Sequence, residues 1–174
     1  MPDIREWRDI DADWLTAALQ SGGVEARVRA FEDGQVGTGQ IGDCVRFKLD
    51  YERAGPDAPK TLVGKFPSDG AESRATGIQL MNYFREVKFY QLLQPQARIS
   101  TPRCYFTDLD EETHDFVLIM GDLAPAEQGD QLAGTSLEAT RLVLKEAAKL
   151  HSAFWEDEKL DRYHWVSGTT NAPN

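Results

Sequence analysis

Polar and apolar positions alternate along two neighbouring segments of this chain. In the first, V-E-A-R-V-R-A-F-E-D from Val24, and in the second, where Val45, Phe47 and Leu49 alternate with Arg46, Lys48 and Asp50, the period is that of half-buried strands. Gly37, Gly39 and Gly42 stand between them at G-x-G-x-x-G spacing. Strand on both sides makes the glycines the tip of a hairpin. A turn-rich break, R-A-G-P-D-A-P, precedes a third strand, K-T-L-V-G-K-F, with Thr61, Val63 and Lys65 on one face and Leu62, Gly64 and Phe66 on the other. Ahead of the hairpin, Asp13 to Gln20 reads as a helix capped by Asp11 or Asp13 and stopped by Ser21, Gly22 and Gly23. After the third strand, Asp69 with Glu72 forms a capping box for one long helix running to about Leu93. T-P-R-C-Y-F-T-D and D-F-V-L-I-M-G-D are two further strands joined by the polar turn L-D-E-E-T-H. Residues 121–134 read as a connector, Thr135 boxed by Glu138 opens a last helix to about Trp155, and the tail is polar with an isolated Trp165.

The glycine spacing fits two phosphate-binding devices. A dinucleotide fingerprint needs a strand before the glycines and a helix after them, so that the pyrophosphate rests on the helix N-terminus. Here the strand follows, which leaves either a plain glycine-rich turn or the kinase-like device, a glycine hairpin whose backbone N–H groups can approach phosphates because no Cβ intervenes. The order helix, three strands, helix, two strands, connector, helix is that of a kinase-like N-terminal lobe. In such a lobe the third strand carries a lysine for the phosphates, and the next helix carries a glutamate that holds the lysine in place. Lys65 is the cation within T-L-V-G-K-F. Glu86 emerges among Tyr83, Phe89, Tyr90 and Leu93 at helical spacing, an apolar setting in which a carboxylate needs a partner. Taken singly, Lys65 reads as an edge-strand lysine and Glu86 as a helix-surface carboxylate. Their ordered conjunction with the glycine hairpin favours the pair, and Lys65 and Glu86 are expected to face each other across the sheet–helix interface.

The blocks T-L-V-G-K-F-P-S-D, Y-F-R-E-V-K-F-Y-Q-L-L, S-T-P-R-C-Y-F-T-D, F-V-L-I-M-G-D-L-A-P and A-A-K-L-H-S-A-F-W, in this order, resemble the aminoglycoside phosphotransferase and choline-kinase-like superfamily, especially its ecdysteroid-kinase-like branch. The resemblance implies an α+β fold: a five-stranded antiparallel sheet with a long helix as an N-terminal nucleotide-binding lobe over residues 1–120. Hinge, connector and the first, incomplete helical part of a C-terminal lobe would follow over 121–174. It implies ATP as cofactor, with Lys65 on the phosphates, Glu86 as its partner and Gly37, Gly39 and Gly42 in the loop over them. Cys44 and Val63 would roof the adenine, and the backbone of Met120, Gly121 and Asp122 would be the hinge at its edge. Cys44 stands where protein kinases commonly have valine, and only a small apolar contact is needed there.

Kinases of this group carry, beyond the hinge and a long helix, an H-G-D-type loop with an asparagine, then a metal-binding aspartate. After the last helix this sequence offers Asp157, Asp161, His164 and Asn171, in no such arrangement. No catalytic or metal-binding residue is therefore assigned, and Mg²⁺ ligands are expected in a missing C-terminal lobe. The expectation is a phosphotransferase cut off before its chemistry, whose intact form moves the γ-phosphoryl group to a small-molecule hydroxyl acceptor. The alternative is a non-catalytic nucleotide-binding or partner-binding module.

Composition changes this picture little. A net charge of -10 opposes nucleic-acid and anionic membrane partners. No apolar run is long enough to span a bilayer, and M-P-D-I-R-E-W-R-D lacks the apolar core of a secretory signal, so a cytoplasmic protein is expected. Cys44 and Cys104 make neither a disulfide framework nor a metal site and read as small buried thiols. In the last helix one stripe, Leu137, Leu144, Ala148, His151 and Trp155, adjoins another, Val143, Ala147, Leu150 and Phe154. The combined face is wider than a surface helix needs, and self-association or a missing domain over 137–155 is expected.

Overall fold

A computed structural model describes residues 2–37, 41–127, 129–130 and 132–166. Its centre is an antiparallel sheet of five strands, β1 (Ala26–Gln35), β2 (Gly42–Ala54), β3 (Thr61–Pro67), β4 (Cys104–Leu109) and β5 (Phe116–Gly121), in the order β1-β2-β3-β5-β4. The alternation read from the sequence sets its two faces. Val45, Phe47, Leu62, Phe66, Val117 and Ile119 point to one side and are buried. Against them lies α1 (Ala12–Ser21), which buries Trp14, Leu15, Ala18 and Leu19. Asp11 caps it, its carboxylate accepting from the Trp14 amide at 2.7 Å. At the other end Gly22 is required because a Cβ there would lie 2.7 Å from the Tyr105 carbonyl oxygen.

On the opposite face, α3 (Asn82–Lys88) packs Tyr83 and Val87 onto Phe116 and Leu118. The single long helix expected after β3 is instead divided: α2 (Ala71–Gln79) ends, Met81 takes a left-handed φ of 55°, and α3 begins and runs on into a π-turn over Phe89–Leu93. The cause is tertiary. In a continuous helix residues 77 and 83 would stand about 9 Å apart along the axis. Here the Tyr83 ring folds back over Gly77, where a Cβ would be 2.5 Å from Tyr83 Cζ, and stacks on Phe116 at 4.7 Å. Tyr83 Oη donates to the Ile41 carbonyl, which fixes the ring at the end of the glycine hairpin.

The caps expected further along are also redistributed. Gly70, not Asp69, is the N-cap of α2, and no side chain caps it. The Asp69 carboxylate is taken by Arg8 at 2.6 and 3.1 Å, an ion pair that pins the N-terminal segment and holds the Asp69 carboxyl below its usual range. The last helix, α4 (Leu137–Phe154), is capped by Ser136 rather than Thr135, because Ser136 Oγ reaches the Ala139 amide at 3.1 Å. No residue of α4 is buried, and Leu137, Val143, Leu144 and Trp155 are exposed. The Ser100 amide donates to Glu146 of this helix at 2.8 Å. Trp165 is not isolated: it meets Phe84 edge-on at 6.4 Å and Tyr163 at 5.9 Å.

Candidate functional site

Pairing of β1 with β2 carries the hairpin to its tip, where the Val36 amide donates to the Cys44 carbonyl at 2.9 Å. Gly37 follows with φ 75°, a conformation that excludes most side chains. Gly39 lies outside the described residues. Gly42 re-enters the sheet opposite Pro67, and a Cβ there would lie 3.0 Å from the Phe66 carbonyl oxygen and 3.3 Å from Lys65 Cε. The absence of a side chain at 42 thus gives the Lys65 stem its passage along the sheet.

Register then assembles the rest. Cys44, Lys65 and Leu118 are cross-strand neighbours in one row, and Arg46, Val63, Met120 and Cys104 form the next row on the same face. Lys65 Nζ donates to Glu86 Oε2 at 2.6 Å and to Oε1 at 2.9 Å, so the strand lysine and the helix glutamate meet across the sheet–helix interface. Their side chains keep 27% and 30% exposure, so a ligand can reach the ammonium without displacing the helix. The pair opens on a cleft of about 570 Å³ lined by Ile41, Gly42, Lys65, Asn82, Glu86 and Tyr90, among others. A cation held by one carboxylate beside a side-chain-free backbone is equipped to take an anion. Nearby acidic side chains are tuned against ionising. Burial, helped by the Glu86 charge, pushes the Tyr90 hydroxyl up to about 12. Burial also raises the Cys44 thiol, with the Lys65 charge opposing it, and lifts Cys104 to about 11.

The positions read as a hinge are only partly free. Met120 and Gly121 still belong to the β5 ladder, opposite Val63 and Leu62. The Gly121 N–H donates to the Arg103 carbonyl at 2.8 Å, so it is committed within the sheet and is withdrawn from the expected free edge donors. Asp122 turns its side chain back instead. Its carboxylate, 6% exposed, accepts from Arg46 Nε at 2.6 Å and Nη2 at 3.1 Å and from the Ala124 amide at 3.0 Å. Arg46 holds the Asp122 carboxyl below the usual carboxylate range. This bidentate pair ties the strand leaving the glycine turn to the segment leaving β5, beside Val63. Sequence reasoning missed Arg46 because on its own it reads as an outward residue of an alternating strand. The pairing registers of β2, β3 and β5 bring it to Asp122.

Among the described residues no group of three or more His, Cys, Asp or Glu side chains is placed to hold a metal ion. No helix among them is long and apolar enough to cross a membrane.

Searches of curated proteins and of solved structures found no match. Comparison with protein families matches residues 37–160, more than half of the 174, to the ecdysteroid kinase-like family. The matched region takes in the glycine hairpin from Gly37, Lys65, Glu86, β5 and α4. With its α+β architecture and its paired lysine and glutamate, this chain belongs to the ecdysteroid kinase-like family, part of the aminoglycoside phosphotransferase and choline-kinase-like superfamily.

Proposed function

We propose that this chain is the nucleotide-holding portion of a phosphotransferase that moves the γ-phosphoryl group of ATP to the hydroxyl of a small molecule. The observation that carries the reading is the Lys65–Glu86 pair at the mouth of the cleft, with Gly42 beside it, in a chain of a kinase-like family. The residues fit a nucleotide. Gly42 leaves room along the lysine stem that a Cβ would fill, and Lys65 retains a solvent-facing side. Cys44 and Val63 offer a small apolar strip on the same sheet face for a base.

When bound, ATP supplies the activated phosphoryl group. Within that reading Lys65 neutralises and orients the α- and β-phosphates, and Glu86 keeps Lys65 from swinging into solvent. The glycine hairpin brings backbone N–H groups over the phosphates, and Arg46 with Asp122 fixes the spacing between the base strip and the hinge. In the transfer itself the acceptor oxygen forms a bond to the γ-phosphorus while the bond to the β–γ bridging oxygen breaks. The hydroxyl proton must then pass to a base. These 174 residues contain no H-G-D-type loop to supply one, and among the described residues no group of three or more His, Cys, Asp or Glu side chains is placed to hold a metal ion. The chain by itself is therefore expected to position nucleotide without turning it over, since a missing electrostatic stabiliser costs about a hundredfold to a thousandfold in rate.

The second reading, a nucleotide- or partner-binding module without catalysis, is favoured by that same lack of a base. ATP turnover by the full product of the gene, assayed with amino-alcohol and aminoglycoside acceptors, separates the two. Acceptor-dependent ADP release supports the phosphotransferase, and nucleotide binding without turnover supports the module.

A further inference from the structure

The helix that presents Glu86 turns more than Glu86 toward the cleft. Asn82, Arg85, Glu86 and Phe89, at positions i, i+3, i+4 and i+7, all line it, together with Tyr83, which with Val87 also packs against the sheet. Arg85 is the unbalanced member of that face. Glu86 is committed to Lys65, and the other cations around this helix are likewise paired: Arg46 with Asp122, Arg74 with Asp115 and Lys88 with Glu111. Arg85 forms no ion pair among the described residues, and its Nε is buried without a hydrogen-bond partner. The terminal Nη1 and Nη2 groups of a guanidinium are spaced to take a planar or tetrahedral oxyanion by two N–H bonds at once, and Arg85 lines the cleft with no carboxylate among the described residues holding that fork. The cleft thus holds two cations and one carboxylate, inside a protein whose overall charge is -10.

We propose that Arg85 is a second cationic contact for the polyphosphate of the nucleotide, gripping phosphate beyond the one nearest the base while Lys65 holds the inner part. The inference rests on the reading of this cleft as a nucleotide site. Its chemical content is a preference for length: a nucleoside triphosphate reaches both Lys65 and Arg85, whereas a monophosphate reaches Lys65 only. Asn82, one turn before Arg85 on the same face, adds a neutral amide donor to that outer position.

Calorimetric titration of ATP and AMP into the wild-type chain, Arg85→Gln, Arg85→Lys and Lys65→Ala tests it, with melting curves to verify folding. Arg85→Gln is expected to weaken ATP about tenfold or more, as loss of a charge-assisted contact does, while leaving AMP within about twofold. Arg85→Lys keeps the charge and loses the fork, so it recovers part of the ATP affinity. If the glutamine variant does not fold, the lysine variant carries the test, with an expected loss of about threefold for ATP and none for AMP. An unchanged ATP affinity in both Arg85 variants, or an equal loss for ATP and AMP, overturns the proposal. Loss of ATP binding in Lys65→Ala alone sinks this inference and leaves the nucleotide reading standing. ATP affinity that none of the variants changes sinks both.

Discussion

Breaking the Arg46–Asp122 pair from its two ends is expected to have unequal cost. Asp122 is the buried partner, its side chain 6% exposed, while Arg46 is 41% exposed. Arg46→Leu leaves the carboxylate in place, nearly out of water, with the Ala124 amide still donating to it. Removing one partner of a fully buried pair costs about 3–5 kcal/mol. The remaining amide and the screening on the arginine side bring the expected loss to about 2–3 kcal/mol. Asp122→Asn instead frees Arg46 into water, where it is hydrated, and keeps an amide oxygen for Ala124, so about 1 kcal/mol is lost. Urea unfolding followed by circular dichroism at neutral pH measures both. The dependence on pH gives a second readout. Arg46 depresses the folded-state pKa of Asp122, so the pair's contribution is full above about pH 4 and is lost as pH falls through the folded value. In Arg46→Leu, protonating the stranded carboxyl relieves it. The gap between wild type and this variant therefore narrows as pH falls toward the wild-type folded value. Equal destabilisation by the two substitutions, or a larger loss in Asp122→Asn, would refute the reasoning.

Three further outcomes follow from the packing. Gly77→Ala drives a methyl group against Tyr83, where 2.5 Å is available, and the overpacking cost of about 1–3 kcal/mol exceeds the roughly 1 kcal/mol gained in helix propensity, so the melting temperature falls. Both thiols are pushed up by burial, so iodoacetamide labelling is slow at neutral pH and accelerates with rising pH, and ATP slows it at Cys44; labelling of Cys44 that ignores ATP contradicts its place on the base strip. The exposed Leu137, Val143 and Leu144 of α4, with Trp155 just after it, predict concentration-dependent self-association in light scattering, which a strictly monomeric protein with α4 ordered would contradict.

The sheet and its central pair were legible because each rests on a local period. Alternation around Val45 and Phe47 and within T-L-V-G-K-F gives strands, and the spacing of Glu86 among Tyr83 and Tyr90 gives a helix face. The break at Met81 was not legible, since Q-L-M-N-Y-F-R-E continues a helical pattern and the chain turns only because Tyr83 packs on Gly77 and Phe116. Asp69 and Glu72 have the spacing of a capping box, but Arg8, far away in sequence, takes the Asp69 carboxylate. Arg46 and Asp122 meet only through the registers of three strands, and Trp165 finds Phe84 only once α3 is placed. Local chemistry identified Gly42, Lys65 and Glu86 among the residues that line the cleft, but not Asn82 or Arg85. Long-range packing decided which charges are already paired and so, by elimination, left Arg85 uncommitted.

The central claim is that the Lys65–Glu86 cleft takes nucleotide phosphate. The direct measurement is calorimetric titration of ATP into the folded wild-type chain and into Lys65→Ala of matched stability. Weak, saturable binding by the wild type that falls about tenfold or more in the variant, as expected for loss of a charge-assisted phosphate contact, is the predicted result. Equal ATP affinity in the two proteins would remove Lys65 from the site and contradict the account.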